Sequence, residues 1–246
     1  MPSHFGLSAA LLYAGKAAEA QAELQKMVEQ ARNDGELRTA YFGMAVVALD
    51  GGAFDKALQA MDKEYAVAEK KNDIVSMAAD LQAKGNILVQ VSRYDDAQRQ
   101  FERSWHMIDA SSQSQEIKDN AKLLNHFDLA GIAIEKKDFA AAKTHATEFR
   151  QGAEATKNSA QIKQSHELAG RIALGEKDYD KAIAELEQAN LQNPSNLYRL
   201  GQAHGGKSDG AKAQDYLTKA ADFNSLPALN YAFIRVKAQK LAGKKA

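Results

Sequence analysis

Apolar residues recur along this chain at intervals of three and four, in blocks divided by short polar turns. The clearest block runs from His166 to Asn196. Leu168, Ala169, Gly170 and Ala173 lie on one helical stripe, a polar turn follows at 175–178, and Tyr179, Ala182, Ile183, Leu186 and Ala189 lie on a second, closed by Pro194. Such periodicity marks amphipathic helices, so the block predicts a helix hairpin. Aligning the rest of the chain on the turn and the alanine after it gives six copies, with Ala20, Ala57, Ala97, Ala142, Ala182 and Ala213 spaced 37, 40, 45, 40 and 31 residues apart. A repeat of this length is one supersecondary unit that buries its apolar face only by stacking on its neighbours.

Two further positions keep register with the alanine. Four residues after it stands a bulkier apolar residue, at Leu24, Met61, Phe101, Leu186 and Leu217, with Ala146 the exception. A spacing of four puts both on one helix face. About twelve residues before it stands a small residue, at Ser8, Ala45, Gly85, Ala130, Gly170 and Gly201. A small residue at mid-helix needs a packing reason, and close approach of the two helices of a hairpin supplies one. The pattern predicts helices near 4–14, 17–32, 36–50, 54–71, 73–91, 95–110, 114–136, 139–156, 159–175, 179–191, 195–204 and 208–222. A last helix near 227–242 carries one apolar stripe of Leu229, Ala232, Phe233 and Val236 and another of Tyr231, Ile234, Ala238 and Leu241. Both cannot face the sixth repeat through one seam, which predicts either a wide contact with that repeat's two helices or a surface for a dimer or a further domain.

Leu200-Gly201 and Ala169-Gly170 in first helices, the alanine-then-bulky pairs in second helices, and Pro194 at a repeat end resemble the tetratricopeptide repeat. The resemblance covers nearly the whole chain. It implies an all-α fold, a right-handed superhelical solenoid of antiparallel helix hairpins. It also implies a single domain over 1–246, with repeats near 3–34, 35–72, 73–112, 113–157, 158–193 and 194–225 and a capping helix at 226–242. The chain departs from the family in most of its spacings, which exceed the family period of about 34 residues, so the middle helices should run a turn or two longer. It also lacks the family's tryptophan, because Trp105 falls in a second helix.

Composition supports the helical reading. Alanine, the best helix former, is abundant, and the only prolines are Pro2, Pro194 and Pro227. Thirty-two basic residues balance thirty-two acidic ones, which argues against nucleic-acid binding through excess positive charge. The one-sided basic set Arg235, Lys237, Lys240, Lys244 and Lys245 does not outweigh that balance. With no cysteine, disulfides and cysteine metal sites are excluded. No apolar run approaches the roughly 18 residues that span a membrane, and no positive region precedes the first apolar stretch, so neither a membrane anchor nor a signal peptide is expected. The expectation is a soluble protein, in cytoplasm or periplasm alike. The chain starts abruptly at a repeat, which fits a regulatory or sensor segment of a larger protein in which Phe5, Leu7 and Leu11 would pack on an earlier repeat.

Two constellations invite a chemical reading. Gly201 to Ser208 matches G-x-x-x-x-G-K-[ST], whose backbone amides cradle phosphates, and Met44–Asp50 resembles an apolar run ending in a magnesium-binding aspartate. Yet the residues before Gly201 have helical spacing in register with the repeat, the order of the two pieces is reversed, and Val46 falls where a first helix belongs. A hairpin turn is the expected structure, with nucleotide binding as the minor alternative. His4, His126 and His166 occupy one repeat position, but zinc needs three or four ligands in tetrahedral reach, so no metal and no cofactor are expected. No nucleophile, base and acid stand together, and the chain is read as no enzyme.

A second stripe on each first helix is a better functional candidate. It carries Phe42 and Val46, Gln82 and Asn86, Phe127 and Gly131, Glu167 and Arg171, and Tyr198 and Gln202. In proteins of the resembled family this stripe lines a concave face that holds an extended or helical peptide. Aromatics there would anchor, amides would bond a peptide backbone, and the Glu167–Arg171 pair would read a charged group. The expected partner is a protein or peptide in that groove, with self-association through the terminal helices as a further expectation.

Overall fold

A computed structural model describes residues 3–223 and 228–244. Among them are thirteen α-helices and no strand. The first six are α1 (His4–Tyr13), α2 (Ala17–Glu29), α3 (Asp34–Asp50), α4 (Phe54–Lys70), α5 (Ile74–Gln90) and α6 (Tyr94–Asp109). They continue with α7 (Gln115–Glu135), α8 (Phe139–Ala155), α9 (Ser159–Gly175), α10 (Tyr179–Leu186), α11 (Pro194–Gly206), α12 (Gly210–Ala221) and α13 (Leu229–Leu241). Odd and even helices pair as six hairpins, α1–α2 to α11–α12, before α13. The expected lengthening of the middle helices runs through α3 to α9, at 16 to 21 residues with α7 the longest, while α10 stops at 8.

Each hairpin turns on one residue in the left-handed region: Gly15, Gly52, Ser92, Lys137, Lys177 and Ser208, with φ of 76°, 72°, 59°, 61°, 65° and 63°. Every one of them lies five residues before its repeat's alanine. The left-handed residue reverses the chain in the fewest residues, as at a helix C-terminus generally. The six alanines are buried, and so are the six small residues facing them across the hairpin. At Gly170 an added Cβ would lie 2.6 Å from Leu186 Cγ and 3.3 Å from the Leu186 backbone nitrogen, and at Gly201 it would lie 2.6 Å from Leu217 Cγ. The small residue and the bulky one four after the alanine are therefore two halves of one contact. In the fourth repeat, where Ala146 supplies no bulk, fully buried Phe149 fills the space beside Ala130 and Leu168.

The expected helix ends agree to within a few residues except in α10, which was expected to reach 191. Its last turn unwinds into a bend in which the Asn190 carbonyl accepts from Asn196 Nδ2, while Ala189 stays buried beyond the helix end. Asn193 then caps α11 through its side chain, with Pro194 in the first turn. Proline fits there because its missing N–H would be unpaired in any case.

The described helices group into two compact units, residues 3–111 with 228–233 and residues 112–223 with 234–244. The first is built on a continuous apolar core of Leu12, Leu24, Met44, Val46, Met61 and Ile87, with Tyr231 and Ala232 buried in it. Phe5 and Leu11 pack against this core, whereas Leu7 is exposed, so only one of the three residues expected at an open N-terminal face lies open. The second is built on smaller clusters, among them Ala130–Phe149–Leu168 and Ala173–Ala182–Ala203. The start of α13 thus belongs to the first unit's core. In the second unit the end of α13 is tied to α12: Gln214 Nε2 donates to the Ala242 carbonyl, and Lys244 pairs with Asp222. Pro2, Pro227, Lys245 and the expected start of the cap lie outside the described residues.

Candidate binding surface

In the first unit the stripe is apolar at one end and polar at the other. Phe42 is half-buried against the core and Val46 is wholly buried within it. Gln82 is half-buried and Asn86 exposed, one turn apart on α5. Behind them a buried charge cluster joins three helices. Arg38 of α3 donates to both Asp80 oxygens of α5, at 2.7 and 2.8 Å, and to the Glu64 carbonyl of α4 at 2.9 Å. The Glu64 carboxylate is left with Arg38 at 3.3 Å. One guanidinium cannot neutralise two buried acids, and burial with the Asp80 charge pushes Glu64 up to about 8 against the pull of Arg38.

In the second unit the stripe is a charge network. Phe127 packs half-buried on Phe149, with ring centres 5.3 Å apart. Glu167 is buried and does not take Arg171, its neighbour one turn on. It accepts from Arg199 Nη1 at 2.9 Å and from Asn196 Nδ2 at 3.1 Å. Burial alone would raise its pKa; Arg199, Arg171 and the Asn196 bond outweigh burial and hold it below the usual carboxylate range. Burial and the Arg171 charge lower Arg199 to about 10, so it stays charged at neutral pH. Arg171 turns instead to Glu135 at 3.5 Å and lies over α7 where Gly131 has no side chain; a Cβ there would sit 3.5 Å from its nitrogens. Burial raises Asp128 to about 8 with Arg171 opposing. Burial also raises the Tyr198 phenol, and Gln202 is exposed.

Arg171, Arg199, Glu135 and Gln202 border an open pocket of about 250 Å³. A larger cleft of about 790 Å³ lies away from the stripe, between the first half of α7, the end of α8 and the start of α9. Ile117 is 40% exposed on its wall beside Leu123, Glu148 and His126. The geometry adds Arg199, Glu135 and Asn196 to the residues read from the sequence, and no helical period points to them because their partners sit on other helices.

The other two candidate constellations become structural. Gly201 to Gly206 are all helical, so their amides serve α11, while Lys207 ends the helix and pairs with Asp180. Met44–Asp50 lies within α3. The three repeated histidines each bond within their own hairpin, His4 Nδ1 to Glu23 at 2.9 Å, His126 Nδ1 to His145 at 3.2 Å and His166 Nδ1 to Glu185 at 2.7 Å. The partner lies nineteen residues on in every case. Among the described residues no group of three or more candidate ligands gathers, and no helix is long and apolar enough to cross a membrane.

No family model matches the sequence, and no curated protein matches it. Solved structures do. The chain is similar to BtubC (BKLC) from P. vanneervenii, with a TM-score of 0.52 and 16% identity over 85% of this chain and 88% of that one. It is similar to the apo form of RapI, with a TM-score of 0.58 and 13% identity over 96% of this chain and 82% of that one. The TPR domain of P58(IPK) aligns over 98% of this chain and 64% of that one, with a TM-score of 0.33 and 18% identity. At such identities the likeness to BtubC and RapI concerns fold alone, and together with six hairpins turned at one repeat position it makes the fold an all-α helical repeat.

Proposed function

We propose that this chain is a non-catalytic scaffold, a single solenoid domain that holds an extended or helical peptide of a partner protein along its first-helix stripe. The observation that carries the reading is the pocket bordered by Arg171 and Gln202, where both signs of charge and an exposed amide meet on helices from successive repeats. Repeat arrays make extended binding surfaces by this means. The buried acids and arginines are bonded to one another, an arrangement that suits rigid presentation of a surface better than proton transfer. Balanced charge favours a peptide over a polyanion.

A peptide library displayed on phage and selected on the wild-type chain tests this. Selected peptides should bind with micromolar affinity and lose at least tenfold on the Arg171→Ala/Gln202→Ala double variant. Peptides that bind both proteins equally would move the site off the stripe, with the cleft beside Ile117 and His126 the next place to look.

A further inference from the structure

The first, fourth and fifth hairpins share a histidine position, but the fourth answers it with a different partner. His4 Nδ1 meets the Glu23 carboxylate at 2.9 Å, and His166 Nδ1 meets the Glu185 carboxylate at 2.7 Å. In the fourth hairpin the residue nineteen on is His145, with the two Nδ1 atoms 3.2 Å apart and the ring centres 5.4 Å apart. A neutral imidazole has one donor and one acceptor nitrogen, whereas a protonated one has two donors. The bond between His126 and His145 therefore needs at least one neutral ring. A proton on each turns the acceptor into a second donor and sets two like charges in contact, which is unfavourable. In the first and fifth hairpins a proton on the histidine instead adds attraction to the facing carboxylate.

We propose that the fourth hairpin is an acid-sensitive joint: protonation of both His126 and His145 loosens α7 from α8, while the first and fifth hairpins stay closed. It does not depend on what the stripe binds. The charges around the pair are few. Lys122 on α7 adds a positive one and Glu148 on α8 a negative one. Glu116 and Asp119 line the adjoining cleft further along α7, and Asn158 and Gln161, which line it from the α9 side, do not titrate. Burial first, and the charge of His145 next, hold His126 below the usual histidine range, with Glu148 opposing and Lys122 helping. The closed hairpin thus binds fewer protons than the opened one. Its closure is complete above the ordinary histidine value of about 6.5 and weakens as pH falls below that value. The cleft of about 790 Å³ between the start of α7 and the end of α8 reaches His126, so the pair stands at an open edge of the hairpin rather than in a closed core.

The test compares the full wild-type chain with full-chain His145→Glu, which gives the fourth hairpin the pair found in the first and fifth. Hydrogen exchange is followed at about pH 7 and about pH 5, on either side of the ordinary histidine value, and corrected for the intrinsic pH dependence of amide exchange. In the wild type, protection of α7 and α8 should fall at least about threefold in acid, with no such fall in α1, α2, α9 or α10. In His145→Glu the fall should be absent. Asp128 does not mask it, because a carboxyl pushed up to about 8 is mostly protonated at both pH values. Unchanged protection in the wild type, the same fall in the variant, or a fall shared equally by all three hairpins overturns the proposal. Histidine-selective NMR of the wild-type chain reads the pair without any variant. His126 and His145 should titrate in two steps at least about one pH unit apart; one common step overturns the proposal.

Discussion

The two units build one hairpin turn from different residues. In the first, Gly15 and Gly52 take the left-handed position, and the second helices start at Lys16, Ala53 and Arg93 with no side-chain cap. In the second, Lys137, Lys177 and Ser208 take that position, and Asp138, Asp178 and Asp209 accept from the amides of Ala141, Lys181 and Lys212. A left-handed L-residue costs roughly 1–2 kcal/mol, and an aspartate N-cap contributes about 1 kcal/mol. Glycine removes the penalty, whereas the cap offsets it. Ser92-Arg93 has neither device and still makes the turn, so the packing of the hairpin finally dictates it. The same contrast runs through the buried polar groups: one guanidinium with two acids in the first unit, an extended network in the second.

The largest expected effect concerns pH, and it sets one acid of each unit against the other. Glu64 and Asp128 are both raised to about 8. A carboxyl raised on folding binds more protons folded than unfolded, so stability falls as pH rises from the ordinary carboxylate range to about 8, by at most about 1.4 kcal/mol per pH unit for each group. Denaturation midpoints across that range should flatten in Glu64→Gln and in Asp128→Asn, each removing its own share; an unchanged slope in one variant would make the two clusters unlike. Next in size, Arg199→Ala leaves Glu167 buried without its main partner and should cost about 3–5 kcal/mol in chemical denaturation. A loss under about 1 kcal/mol would mean that Glu167 does not depend on Arg199. Gly170→Leu, against the Leu186 side chain and backbone, should cost about 1–3 kcal/mol, while Gly131→Ala, with only ordinary contacts to Arg171, should leave the melting curve nearly unmoved. The smallest effect tests the turns directly. Asp178→Ala should cost about 1 kcal/mol, and adding Lys177→Gly should restore most of it by giving the second unit the first unit's solution.

Much of the fold is legible in the chain because hairpin packing is local. The alanines, the small residues before them and the bulky residues after them meet within one hairpin, so their sequence spacing encodes their contact. The bonded histidines obey the same rule, and searching nineteen residues on from His4 and His166 would find Glu23 and Glu185. The site is less legible because its chemistry runs between hairpins. Glu167 and Arg171 stand one turn apart and look paired, but burial beside α11 gives Glu167 to Arg199, which no period announces. The position of Leu229–Phe233 was hidden for the same reason: its two apolar stripes showed that it must be covered, but not by what.

Twelve residues separate each small residue from its alanine in all six repeats, from Ser8 and Ala20 to Gly201 and Ala213. All the variation in repeat length, from 31 to 45 residues, therefore falls outside that interval, in the far ends of helices and the links between hairpins. Each hairpin behaves as a fixed cassette in a chain of adjustable spacers. Residues could be gained or lost in the spacers over evolutionary time without disturbing a single seam, and an engineer who wished to lengthen, shorten or shuffle this array would cut there.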